Sequence, residues 1–316
     1  MYTDLDTSYR RTVSRLGWGM AAFFLVGQVM ASVLALAAPL VLAQIAPSLA
    51  GNISLSLILS DVAIYCLGLP VLVLICRSLP TAQPASPAPR RKMNPELMAG
   101  AVCLSFGVMY GSNMLYLGIM TALTQLTGLP LNSQPTADVV LGMSLPSRLI
   151  LLCVLPPILE ELVFRKYLYT KLGGYGDRAY IFLSGLYFGL FHGNLNQFVY
   201  AFLLGMVLAW LYVTTGRVVW GMVVHAIINI FGSLLSPLAL ESSVFMLVFS
   251  GLVLALLAAG LVFLFRWLGQ KVFAVPAGQP RPTRIVAGAL GNLGNICYIL
   301  LFAVLSAIVL IAPIFQ

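Results

Sequence analysis

The sequence predicts an all-α polytopic membrane protein, a bundle of eight to nine transmembrane helices. Three observations carry that prediction. Of 316 residues, 60% are hydrophobic and 8% are charged, more apolar surface than a water-soluble domain can hide. Apolar stretches of about 20 residues, the length that crosses a bilayer as a helix, recur along the chain. The basic residues gather between those stretches in a pattern that sorts them to one face of a membrane.

Nine stretches qualify in order: 18–46, 53–76, 97–123, 147–165, 179–196, 198–214, 218–238, 243–265 and 287–314. The pair meeting near 196–198 also reads as one broken helix, which gives eight. The first follows Arg10, Arg11 and Arg15 and contains an A-x-A pattern at Ala35–Ala37, as a signal peptide would. Its apolar run continues to residue 46, too long for a cleaved segment, and is expected to stay as an anchor. With the N-terminus in the cytoplasm, only Arg148 of the 17 basic residues falls outside. The net charge of +8 then reflects topology and attraction to anionic headgroups, and calls for no nucleic-acid partner. Cys66, Cys76, Cys103, Cys153 and Cys297 lie in or beside apolar runs without C-x-x-C spacing, as small packing residues do.

Composition divides the chain. Residues 1–77 read as a two-helix hairpin, and 78–96 as a proline-rich basic cytoplasmic linker containing SLPTAQPASPAPRRKMNP. Residues 97–267 read as the main bundle, with a motif core at 145–235. Residues 268–316 read as a second basic linker and a last helix.

Polar groups inside the bundle are few, and in lipid each is a candidate for function. In E160-E-L-V-F-R165, Glu161 and Arg165 share a helix face as an acid–base pair, and Glu160 points about 100° away. One carboxylate is thereby neutralised while the other stays available. Pro156 and Pro157, just upstream, interrupt the backbone ladder beside Glu160. In F188-G-L-F-H192 a phenyl ring lies one turn before an imidazole; in H225-A-I-I-N229 an imidazole and an amide share a face. His192 and His225 are the only two histidines. Taken alone, each pair is as well explained as interhelical glue, and Asp61 and Asn113 are left to that explanation. The conjunction of three such faces in one bundle points to chemistry.

The order EExxxR, FxxxH, HxxxN resembles the CAAX prenyl endopeptidase and bacteriocin-processing (CPBP, or Abi) family of intramembrane proteases. The likeness covers about residues 145–235 and extends to Gly193, Asn194 and Gln197; Lys166 stands where that family often has glycine. The resemblance implies peptide-bond hydrolysis in an intramembrane cavity facing the cytosol. Glu160 would activate water and His192 would hold it. His225 and Asn229 would donate to the oxyanion, with Glu161, Arg165 and Phe188 in support. Metal use stays open between one zinc ion, with Glu160, His192 and His225 as ligands, and none; metalloprotease is the usual family label. The expected partners are a hydrophobic peptide or membrane-protein substrate and the lipid bilayer. The expected location is the cell membrane of a bacterium. A non-catalytic scaffold or immunity protein of the same fold is the first alternative, though a scaffold has no need of His225 and Asn229 together. A proton- or metal-coupled transporter is the second, though it would need polar residues threading to the outer side.

Overall fold

The structure is a computed structural model that describes residues 2–81, 90–130, 140–239, 241–270, 272–273 and 282–312. Much of both expected linkers lies outside the described residues, as do Asp138, Lys271 and Arg281. Among the described residues there are ten helices and no strands. We number them α1 (Tyr2–Ile45), α2 (Ile53–Cys76), α3 (Pro95–Thr127), α4 (145–172) and α5 (Asp177–Phe191). There follow α6 (Leu195–Thr215), α7 (Val218–Ala239), α8 (Ser243–Gly269), α9 (Pro282–Leu290) and α10 (Leu293–Ile311). The sequence marks several starts: Asn52, Asn94, Asn194 and Asn292 each accept a hydrogen bond from the backbone N–H three residues on, satisfying a donor the helix itself cannot.

Seven of these helices are long and apolar enough to cross a membrane, against the eight to nine expected. The two that fall short are the stretches expected at 147–165 and 179–196, and they carry Glu160 and His192. The second, α5, has only 15 residues. The first is a composite rod, in which α turns alternate with wide π turns at Leu149–Val154 and Glu161–Tyr167. Its prolines explain part of the irregularity, because Pro156 and Pro157 have no N–H to give the ladder.

Two apolar cores meet at α5 and α6. One joins α1, α2, α4, α5, α9 and α10 through Phe23, Phe164, Tyr187, Phe191 and Tyr298. The other joins α3, α6, α7 and α8 through Phe106, Leu208, Val224 and Trp267. Close approach depends on small residues, as is usual where lipid supplies no hydrophobic drive between helices. A Cβ on Gly205 of α6 would lie 2.9 Å from Cα of Gly185 on α5. The flanking elements are tied in by polar contacts as well. Lys171 Nζ donates to the Leu79 carbonyl at 2.9 Å, and the Tyr187 hydroxyl lies 3.2 Å from the Val13 carbonyl and 2.8 Å from Asn295 Oδ1.

Candidate active site

Glu161 and Arg165 form the expected pair inside the second π segment of α4, with Arg165 Nε 3.1 Å from Glu161 Oε2 and both side chains 0% exposed. The Nε–H does not point along that line, so the contact is a close charge pair without an aligned hydrogen bond. Arg165 is held further by the face of Phe188, 4.4 Å from Cζ to the ring centre, and by the Gly205 carbonyl at 3.4 Å from Nη2. A cation over an aromatic face is stabilised by the ring's quadrupole, which makes the buried guanidinium tolerable here.

His225 joins this pair to the other glutamate. Its Nδ1 lies 3.1 Å from Glu161 Oε1, and its Nε2 lies 3.6 Å from Glu160 Oε2. A carboxylate paired with arginine is ionised and can only accept, so Nδ1 carries the proton and Nε2 faces Glu160. The approach of α7 is possible because Gly221, one turn before His225, presents no side chain. A Cβ there would lie 2.7 Å from Glu161 Oε2. Glu160 itself is partly exposed, 14% against 0% for Glu161, so the two adjacent carboxylates divide as the spacing suggested.

His192 sits where α5 ends. Gly193, at φ +68°, reverses the chain, and Asn194 then caps α6 through Gln197 N at 2.9 Å. The imidazole Nδ1 lies 2.9 Å from the Phe188 carbonyl, an acceptor, so Nδ1 holds the proton and the Nε2 lone pair is left for chemistry. The Phe188 ring packs edge-on against both imidazoles, 5.0 Å from His192 and 5.5 Å from His225. The phenyl, the two imidazoles and the guanidinium thus meet around one side chain.

One finding differs from an expectation, and a second bears on a question the sequence left open. The Asn229 amide donates to the Leu152 carbonyl at 2.8 Å, while His225 is turned to the glutamates, so the side-by-side donor pair is not formed. Among the described residues, no three His, Cys, Asp or Glu side chains are grouped so as to hold a metal ion. Glu160, His192 and His225, the residues that would hold a zinc ion if one is used, are therefore not grouped as a zinc site, although each residue type suits zinc. The sequence reading also missed Tyr65 of α2, whose hydroxyl points to Glu160 Oε1 at 3.5 Å. Asp61 and Tyr65 are four apart in an apolar span, the same signal that marked the other polar faces.

Residues 143–231 match the family described as Type II CAAX prenyl endopeptidase Rce1-like. A Bacillus subtilis (strain 168) protein named "Putative membrane peptidase YdiL" is 30% identical over 103 residues, 32% of this chain and 41% of that protein. The chain thus spans less than half the length of the curated relative it matches. No solved structure is a significant match.

Proposed function

We propose that this chain is an intramembrane endopeptidase, a reading supported by the match of residues 143–231 to the Type II CAAX prenyl endopeptidase Rce1-like family. The observation that supports it most is His225 set between Glu160 and Glu161, at 3.6 and 3.1 Å. One carboxylate is fixed by Arg165 and orients the imidazole; the other is left to exchange a proton.

Glu160 takes a proton from water as the water oxygen attacks the scissile carbonyl, and returns it to the leaving amine. While it holds that proton, it can donate towards His225 Nε2. His192 accepts the water's second hydrogen at Nε2, its ring fixed by the Phe188 carbonyl. A zinc ion would supply a lowered water pKa and a Lewis acid, but the three residues that would hold it are not grouped, and no step here runs through it. The substrate is a hydrophobic, membrane-associated peptide of CAAX-like or bacteriocin-precursor type. The distribution of basic residues supports a cytoplasmic N-terminus, and the similarity to a Bacillus subtilis protein supports a bacterial cell membrane.

The test is cleavage of a fluorogenic hydrophobic peptide by the full chain in detergent, with Glu160→Gln alongside and each form assayed after exhaustive chelation. Turnover by the wild type that survives chelation and disappears in Glu160→Gln is the expected result. Activity lost on chelation and restored by zinc would replace the metal-free mechanism. A wild type inert towards a broad peptide library would overturn the peptidase reading.

A further inference from the structure

The stretch that matches the Rce1-like family begins at residue 143, yet a side chain from α2 reaches the carboxylate proposed as the base. Tyr65 lies in a π turn, Ala63–Gly68, a local widening often found at functional sites. Its position is held by close packing against α1. The Phe23 ring lies 6.4 Å from the Tyr65 ring, between centres. A Cβ on Gly27 would meet Ile64 Cα at 3.2 Å, and one on Gly68 would meet the Phe23 carbonyl at 2.7 Å. The backbone on both sides of Tyr65 is therefore pressed onto α1, and its hydroxyl is delivered by a packed helix.

At 3.5 Å from Glu160 Oε1, that hydroxyl is aimed at the carboxylate but longer than a settled O–H···O bond of about 2.7–2.8 Å. It has room to change acceptor. Asn229 is on the Leu152 carbonyl, His225 Nδ1 on Glu161 and His192 Nδ1 on the Phe188 carbonyl, while Arg165, with N–H groups left over, is fully buried behind Glu161. The tetrahedral intermediate needs a donor at its oxyanion, and Tyr65 offers one beside the base.

We propose that Tyr65 is a catalytic residue, donating its hydroxyl hydrogen bond to the scissile carbonyl oxygen as that atom becomes the oxyanion. This rests on the endopeptidase reading. Before attack, negative charge sits on Glu160 and the hydroxyl faces it. As the water oxygen bonds to the carbonyl carbon, a proton moves to Glu160 and the carbonyl π pair moves to oxygen. The charge leaves one acceptor and appears on the other, and the Tyr65 donor follows it. When the pair returns and the C–N bond breaks, the amine takes the proton from Glu160. Tyr65 keeps its own proton throughout. The hairpin outside the matched domain would then complete the active site.

Tyr65→Phe keeps the ring against Phe23 and removes only the donor. In the full chain, kcat on the fluorogenic peptide should fall about 10²–10³-fold, the usual effect of losing one oxyanion donor, with KM little changed. Affinity for a peptide phosphinate, a stable mimic of the tetrahedral intermediate, should fall by a similar factor. A fall in kcat with phosphinate affinity unchanged would mean that Tyr65 only positions Glu160, and would overturn the proposal, as would wild-type turnover. Should the variant fold poorly, fluorinated tyrosine at position 65 supplies a donor of the same shape that ionises at lower pH. The alkaline limb of the kcat profile should then move to lower pH, and an unmoved limb counts against the proposal. A wild type that neither cleaves peptides nor binds the phosphinate removes the endopeptidase reading and this proposal with it. Cleavage by the wild type with an indifferent Tyr65→Phe removes this proposal alone.

Discussion

The Asn229 side-chain amide donates to the Leu152 carbonyl at 2.8 Å, and that carbonyl has no helical donor in either register open to it. In an α turn its donor would be the N–H of residue 156, and in a π turn that of residue 157. Both are proline. Asn229 on α7 therefore supplies across the helix interface the hydrogen bond that α4 cannot supply itself, and pins the rod two turns before Glu160.

Removing that amide should be felt first as lost stability. Asn229→Ala leaves a half-buried carbonyl without its partner, which typically costs about 1–3 kcal/mol. Thermal unfolding in detergent should show the loss, with any fall in turnover following from a loosened α4. A variant with unchanged unfolding temperature and a large drop in kcat would instead place the amide on the reacting atoms.

The two adjacent glutamates should separate in a pair of variants. Glu160→Gln should unfold like the wild type and lose turnover, since this partly exposed side chain faces only long contacts, at 3.5 and 3.6 Å. Glu161→Gln should lose stability by about 3–5 kcal/mol, because it strands the fully buried Arg165 as an unpaired charge. Adding Arg165→Met to Glu161→Gln should recover part of that stability, since an apolar pair avoids the stranded charge. Unfolding measured for all four forms checks the ordering; equal stability of the two single variants would contradict it.

Much of this site is legible in sequence, for a physical reason. Glu160, Glu161, Arg165, His192, His225 and Asn229 are polar in spans where polarity is expensive; the i, i+4 spacing of Glu161 with Arg165 and of Phe188 with His192 appears as contact, whereas that of His225 with Asn229 does not. The partner of Asn229 was less visible, although the two prolines announce an orphaned carbonyl nearby; what spacing cannot say is which helix comes to meet it. Tyr65 was harder still. Its i, i+4 spacing from Asp61 marks a polar face on α2, but that face has no motif partner, and only the tertiary approach of α2 to α4 brings the hydroxyl to a glutamate 95 positions away. The two stretches that failed as regular membrane spans carry Glu160 and His192. Hydropathy registers their apolar character, but not the π turns and early helix end that place those side chains.

Tyr187 tests how firmly the flanking helices hold α5. Its hydroxyl, fully buried, is within hydrogen-bond distance of α1 at the Val13 carbonyl and of α10 at Asn295 Oδ1. Tyr187→Phe keeps the ring and leaves both acceptors one donor short, for an expected loss of about 1–3 kcal/mol. The same variant should also lower activity, because α5 carries Phe188 as the next residue and ends at His192. Unfolding and turnover measured together check this; stability lost with full activity retained would show that the α1–α10 tie does not reach the site.

Gly221 gives the sharpest steric test. On α7 it lies one turn before His225, and a Cβ there would stand 2.7 Å from Glu161 Oε2, closer than side-chain carbons approach other atoms. Gly221→Ala must push either the helix or the carboxylate away. Either movement lengthens the 3.1 Å contact that orients His225. A displacement of that kind commonly lowers turnover by about 10–10²-fold, while adding one methyl group changes no charge and removes no hydrogen-bonding atom. Gly111→Ala in α3 is the matched control, since nothing lies within 4 Å of its added Cβ. That change should be neutral or stabilising by up to about 1 kcal/mol through helix propensity alone. If both variants turn over peptide like the wild type, the contact between Glu161 and His225 does not set the geometry of catalysis. If Gly221→Ala alone fails, the closeness of α7 to the glutamate pair is what the reaction requires.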